Sequence, residues 1–183
     1  MSRKLYTIGH STRTLEEFLE AVRGHVVRAV ADVRRFPGSR RLPWFGAQNL
    51  AAALPKKGLE YWPFPALGGR RKALADSPNT GWRNPSFRGY ADYMQTPEFA
   101  AGLENLIEKA ALVPTAIMCA EAVPWRCHRS LIADAMLVRG WEVLDIYDAR
   151  KVSPHKMSPF AQVKGMQITY PAAENPAPEP GLF

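Results

Sequence analysis

Short apolar runs that end in polar clusters recur along this chain with helix signals between them, and this alternation constrains the fold more than any other feature. Lys4-Leu5-Tyr6-Thr7-Ile8 is β-rich and stops at Gly9-His10-Ser11. Val26 to Val33 is near-continuously apolar, as a strand covered on both faces must be, and closes on Asp32-Val33-Arg34. Leu59 to Trp62 leads towards Gly68-Gly69-Arg70, and Thr115 to Cys119 runs into Ala120-Glu121. Trp141 to Tyr147 completes a set of five strands.

The intervening segments read as helices for local reasons. Thr14 caps a helix with Glu17 three residues on and Leu15, Phe18, Leu19 and Val22 along one face. Thr96-Pro97-Glu98 places a capping residue, a first-turn proline and an acidic first turn before the stripe Phe99, Leu103, Leu106, Ile107 and Ala110. Shorter helices are expected over Gln48 to Leu54 and Phe87 to Met94, and another over Cys127 to Arg139, ended by Gly140. Strands alternating with helices predict a single α/β domain over residues 1–150, a mostly parallel sheet of about five strands with helices on both faces. Two long irregular loops, 35–45 and 70–86, interrupt it, and residues 151–183 are expected to form a Pro-rich, partly disordered extension. Strand C-termini share one edge of such a sheet, and ligands bind there. The four polar clusters all fall on that edge.

With 183 residues and 46% hydrophobic content, the chain is long enough for one domain with a sizeable core and short for two. No apolar run approaches the roughly 18 to 20 residues that span a bilayer, so no membrane partner is expected. The N-terminus does not read as a signal peptide, and two cysteines are too few for a disulfide framework. Free thiols in the cytoplasm are the expectation. The net charge is +7, concentrated in Arg34-Arg35, Arg40-Arg41, Arg70-Arg71-Lys72 and Arg126 with Arg129. Such a surface favours an anionic ligand, a nucleotide or nucleic acid, although excess charge also serves plain solubility. Nothing in the sequence fixes an oligomeric state or names a cofactor.

The segment Ile117 to Arg129 is the densest in reactive groups, holding both cysteines, a histidine, a carboxylate and two arginines. Cys127, beside a helix start and flanked by Arg126, His128 and Arg129, is in a setting that favours thiolate. Cys119, ending a strand, also fits a small apolar core residue. The catalytic candidates are His10, Asp32, Glu121, Cys127 and His128. Paired carboxylates such as Asp32 and Glu121 divide acid and base roles when their environments differ, and each also fits a structural ion pair with an arginine. Arg34, Arg126 and Arg129 are candidates for binding an anion, with Ser11, Gly68, Gly69 and Trp125 lining the substrate site; Gly68-Gly69 allows close backbone approach. Trp44, Trp82 and Trp125 sit beside arginines in turn-rich segments, the combination that holds bases and phosphates, whereas Trp62 fits the core.

Two familiar site types fail on spacing. A phosphate-cradling Cys loop needs Arg six residues after Cys, and here Trp125 occupies that place after Cys119. Cys-x7-Cys lacks the close pairing of structural zinc sites, and adjacent Cys127 and His128 on a helix point well apart, so no metal ligand set is expected.

Tyr6-Thr7-Ile8-Gly9-His10-Ser11, Asp32-Val33-Arg34 followed by Pro37 and Ser39, Leu67-Gly68-Gly69, and Cys119-Ala120-Glu121 with Cys127-His128-Arg129 resemble, in order and spacing, the domain of unknown function 488 family. The likeness runs from about Tyr6 to Ile146. It implies a small bacterial and archaeal cytosolic α/β domain marked by Cys and His, and no particular reaction. The residues themselves lead to the expectation of a hydrolase or transferase acting on a phosphate-bearing, nucleotide-like or nucleic-acid substrate at the sheet's C-terminal edge. The alternatives are a non-catalytic nucleic-acid-binding accessory module and a thiol- or metal-dependent redox protein.

Overall fold

Five parallel strands form the centre of the computed structural model, which describes residues 3–172. They are β1 (Lys4–Gly9), β2 (Ala29–Asp32), β3 (Glu60–Pro63), β4 (Thr115–Cys119) and β5 (Glu142–Ile146), in the spatial order β3-β2-β4-β1-β5. A sixth strand, β6 (Val152–Pro154), joins β5 antiparallel. The helices are α1 (Leu15–Arg23), α2 (Ala47–Lys56), α3 (Pro85–Tyr93), α4 (Pro97–Ala110) and α5 (Arg129–Val138). This is the expected α/β architecture with one strand more than foreseen.

The strand order decides which face each helix covers. From β1 to β2 to β3 the chain steps one way along the sheet; from β3 to β4 to β5 it steps back the other way. Crossovers between parallel strands are right-handed, so opposite steps put their helices on opposite faces. One apolar cluster accordingly gathers Phe18, Leu19, Val22, Leu50 and Leu54 of α1 and α2 against Tyr6, Ile8, Val30 and Met118. The other gathers Tyr90, Phe99, Leu103, Leu106 and Leu131 of α3 to α5 against Leu5, Ala31, Ile117 and Val143. The chain leaves β4 towards one face while its neighbours β1 and β2 send theirs to the other. Departures of this kind open a crevice at the strand ends.

Local signals that need no tertiary partner hold. Thr14 and Glu17 form a reciprocal capping box, and the Thr96 side chain accepts from the Phe99 backbone N–H; each such cap stabilises its helix by about 1 kcal/mol. Strand β2 begins three residues later than its apolar run, because Val26 turns at φ +59 and is exposed. Helix α5 starts at Arg129 rather than Cys127.

Residues 151–172 are more integrated than the expected extension. The antiparallel hairpin β7 (Gln162–Lys164) and β8 (Gln167–Thr169) follows β6. Tyr170 is fully buried and donates to Asp134 Oδ2 at 2.9 Å. His155 sits between two buried carboxylates, its ring nitrogens donating to Asp134 Oδ1 at 2.8 Å and Asp145 Oδ2 at 3.1 Å. The chain beyond residue 150 thus closes the β5 side of the sheet. The rest of the expected Pro-rich tail, residues 173–183, lies outside the described residues.

Candidate functional site

The strand ends do meet at one edge. His10 donates its backbone N–H to Cys119 O at 2.9 Å, Ser11 donates to Ala120 O at 2.9 Å, and Val33 donates to Met118 O at 3.0 Å. However, the sheet sorts the predicted residues onto two faces rather than around one pocket. Asp32 follows the parity of Val30 towards α1 and α2, while Cys119 follows that of Ile117 towards α3, α4 and α5.

On the α5 side lies a compact sulfur and imidazole centre. The sulfurs of Cys119 and Cys127 lie 3.8 and 3.7 Å from His128 Nδ1. The three donor atoms are all within 4.8 Å of one another. The expectation that Cys127 and His128 diverge is overturned by the backbone: Cys127 is extended, with φ −136 and ψ 141, and His128 is the residue before the first turn of α5. Cys127 therefore does not lie on the helix, and its side chain swings beside that of His128. Cys119, whose simplest reading was a core residue, is the third member.

The ring of His128 is fixed from three directions. Its Nε2–H donates to Val33 O at 2.9 Å, and since a carbonyl only accepts, the tautomer this bond selects turns the Nδ1 lone pair to the sulfurs. The Tyr90 ring packs 4.9 Å from it, and the Tyr90 hydroxyl is itself anchored on Leu67 O at 2.7 Å. Gly69 fills the remaining side, while Gly68 allows the same loop to lie on Arg35, whose Cα would be 2.6 Å from a Cβ there.

The two thiols differ electrostatically. Burial pushes the Cys127 thiol up, but the hydrogen bond from Cys119 and the charge and donors of Arg129 outweigh it and bring it down from 9.0 to about 7. The same Cys119–Cys127 hydrogen bond, with burial, holds Cys119 well above the usual thiol range. Arg129 is almost wholly buried and acts as a brace, donating to Glu121 O at 2.6 Å, Ala122 O at 3.1 Å and Thr7 Oγ1 at 3.4 Å. It thereby presses the loop after β4 across the end of β1. Only glycine fits beneath that loop, since a Cβ at Gly9 would lie 1.6 Å from Glu121 O.

On the opposite face, Arg34 holds Asp32 in a two-pronged ion pair, Nε to Oδ1 at 2.8 Å and Nη2 to Oδ2 at 2.7 Å, and also donates to Phe45 O. Tyr61 donates its hydroxyl to Asp32 Oδ2 at 2.7 Å. His10 stacks on Phe45 with centroids 4.3 Å apart, accepts from Arg34 at Nε2 and donates from Nδ1 to Ser11 O. Burial, with Arg34 nearby, lowers His10 from 6.5 to about 4, so the ring is neutral at ordinary pH. Every polar group in this cluster has a partner within it, the pattern of a packed structural network. Ser11 closes it, in the left-handed region at φ 49.

Glu121 contributes its backbone carbonyl to Arg129, while its side chain is exposed. Trp125, 63% exposed, and Arg126 form a short 3-10 turn immediately before Cys127. Phe36, 64% exposed and overlaid by the Arg35 guanidinium at 5.3 Å, stands after the adjacent strand β2. Arg35 was visible in the sequence only as part of a basic cluster, and Phe36 not at all, because a basic loop has no period to mark its exposed members. Asp134 and Asp145 carried a usable signal, since a carboxylate inside an apolar helix stripe or strand must have a buried partner. Clefts of about 270 and 500 Å3 lie elsewhere, one lined by Thr96, Phe99, Arg139 and Ile168 and the other by Arg13, Glu17 and Asp148. No described helix is long and apolar enough to cross a membrane.

No curated protein and no solved structure matches the chain. The family model for Domain of unknown function DUF488 matches residues 14–136, which takes in β2, the Gly68-Gly69 loop, β4 and the whole Cys119/Cys127/His128 centre. That match covers more than half of the sequence, and the chain belongs to the DUF488 family.

Proposed function

We propose that the chain is an enzyme, a hydrolase or transferase, whose reaction centre is the Cys119/Cys127/His128 cluster and whose substrate is a phosphate-bearing or nucleotide-like molecule, nucleic acid included, approaching the C-terminal edge of the sheet. The observation that carries this reading is the orientation of His128. A lone pair held towards two thiols by a backbone carbonyl, an aromatic ring and a glycine is far more organised than core packing requires. Burial of both sulfurs keeps water from the centre, which strengthens electrostatic interactions there.

Of the arginines and rings the sequence suggests for substrate binding, Arg126 and Trp125 keep that role, joined by Arg35 and Phe36, while Arg34 and Arg129 do not. Arg34 and Arg129 make hydrogen bonds within the protein and serve as braces. Exposed Arg35 and Arg126, beside exposed Phe36 and Trp125, supply charge and ring faces for a phosphate and a base. Asp32 and His10 act from the other face as supports for the strand ends.

The test is turnover of a panel of nucleoside phosphates, phosphodiesters and single-stranded oligonucleotides by the purified chain. Cys127→Ser and His128→Gln are each expected to abolish turnover, with oligonucleotide or nucleotide binding within a few-fold of the parent. Undiminished turnover in both variants sinks the reading. Binding without turnover in the parent, lost in an Arg40→Ala/Arg41→Ala double variant, replaces it with a non-catalytic nucleic-acid module.

A further inference from the structure

We infer that Cys119, Cys127 and His128 are the three protein ligands of one transition-metal ion of the zinc class. This rests on the reading of these residues as the functional centre and names the cofactor that centre takes. Zinc–sulfur bonds of about 2.3 Å and zinc–nitrogen bonds of about 2.0–2.1 Å, set at tetrahedral angles, place sulfur and nitrogen roughly 3.6 Å apart. The two sulfur-to-Nδ1 distances, 3.8 and 3.7 Å, are within a few tenths of an ångström of that edge. All three donors also lie within 4.8 Å of each other, so one ion reaches them with small side-chain adjustments.

The second line of argument is the shell around the donors. Histidines that ligate metals donate their other ring N–H to a carboxylate or backbone carbonyl, which fixes the tautomer and aims the lone pair. His128 does this through Nε2 and Val33 O at 2.9 Å. Charge balance agrees as well. Two thiolates and a neutral imidazole around a divalent ion sum to zero, and a neutral centre suits a site whose two sulfurs are buried. Two sulfurs and one imidazole select zinc, cobalt, iron or copper over magnesium or calcium. Three protein ligands leave a fourth position open, as in catalytic rather than structural zinc sites.

The three ligands lie within ten residues but belong to three different local conformations, which is why the Cys-x7-Cys spacing concealed the site. Cys119 arrives at the end of β4, Cys127 from an extended residue after a 3-10 turn, and His128 from the start of α5. The loop spanning them crosses Gly9 and is held by Arg129, so the donors are positioned before an ion binds.

The experiment is titration of the reduced full-length chain with Co2+ and Zn2+, with metal content measured after dialysis. One equivalent per chain is expected, with a thiolate-to-cobalt charge-transfer band in the near ultraviolet that Zn2+ abolishes. Cys119→Ser and Cys127→Ser are expected to remove the band, and His128→Gln, which removes a ligand itself, to weaken binding by more than the roughly 10- to 100-fold that loss of a ligand's hydrogen-bond partner costs. Circular dichroism checks that each variant is folded, and the cobalt spectrum of the parent chain stands whatever the variants do. A parent chain that binds neither ion at micromolar concentration, or one that forms only a Cys119–Cys127 disulfide when purified in air and stays metal-free when reduced, overturns the inference. Turnover that requires Cys127 and His128 in a metal-free chain would leave the proposed enzyme standing without this cofactor. Stoichiometric metal with no turnover of any phosphate-bearing substrate would do the reverse.

Discussion

A Cβ on Gly69 would lie 2.9 Å from Nδ1 of His128, and 3.2 Å from the adjoining ring carbon. The glycine is thus the floor on which the imidazole rests, while Val33 O grips the far side of the ring at 2.9 Å. The ring has no room to retreat without giving up that hydrogen bond or displacing the Tyr90 ring.

Gly69→Ala is therefore expected to disable the centre while leaving the fold. Overpacking of this kind destabilises by about 1–3 kcal/mol. The displaced lone pair should lower turnover, or affinity for Zn2+, by a factor of ten or more, since misplacements of about 1 Å have such effects. Paired thermal unfolding and kinetic measurements check it; a variant with lower stability and unchanged function would show that His128 has no need of its present position.

Stability should pass through a maximum near neutral pH, with opposite limbs set by two histidines on different sides of the sheet. Although burial opposes its charge, His155 is raised from 6.5 to about 9 by its hydrogen bonds and attraction to Asp134 and Asp145. A raised histidine contributes its stability in full below pH 6.5 and loses it as the pH climbs through about 9. A shift of that size corresponds to about 3 kcal/mol. His10, lowered to about 4 by burial and Arg34, has the opposite sign: its contribution is complete above pH 6.5 and fades as the pH falls towards about 4. Chemical denaturation from pH 4 to 9.5 should give a dome. His155→Gln should flatten its alkaline limb and His10→Gln its acid limb. Limbs that both survive in these variants would assign the dependence to other groups.

Asp32 and Arg34 form a buried pair with side chains 1% and 8% exposed. Removing one partner leaves the other charge uncompensated, at about 3–5 kcal/mol, whereas removing both relieves much of that. Asp32→Ala should thus be more destabilising than Asp32→Ala/Arg34→Met, as measured by urea unfolding. The double variant is expected to retain the Cys119/Cys127/His128 centre, because the hydrogen bond that holds His128 from this side comes from the Val33 backbone carbonyl and not from either altered side chain. A double variant as unstable as the single one would mean that Arg34 contributes mainly through Phe45 O and His10.

The parts of this fold that were legible from the sequence are those encoded over a few residues. Thr14 with Glu17, and Thr96 with Pro97, announce their helices because cap and partner lie within one turn. The C-terminal edge was legible because polar clusters follow four of the five parallel strands, directly or a few residues on. Which face of that edge a residue joins depends on strand parity, and parity is fixed by register: Cys119 pairs with Gly9, and Asp32 with Met118. A sequence does not contain that register, so His10, Asp32 and Cys127 looked like walls of one pocket. The His155 network was hidden for a related reason, since its carboxylates come from α5 and β5 while the histidine follows β6. The metal-like triangle was hidden by a two-residue error in where α5 begins. Moving Cys127 off the helix is what allows its sulfur to meet His128 Nδ1.

Trp125 and Arg126 offer the cleanest separation of binding from stability. Both are exposed and precede Cys127 directly, so replacing either with alanine should shift unfolding by no more than about 0.5 kcal/mol. If this rim holds a nucleotide or single strand, Trp125→Ala removes one stacking platform, worth about 1–3 kcal/mol per base. Arg126→Ala removes one phosphate contact and should lower the slope of log affinity against log salt by about one. The two losses differ in kind: the tryptophan variant should bind more weakly with the same salt slope, and the arginine variant with a shallower one. Fluorescence anisotropy with a labelled oligonucleotide across a salt series measures both. Equal affinity and slope in the parent and both variants would remove this rim from the substrate path and direct attention to Arg35 and Phe36, on the other side of the crevice that β4 opens.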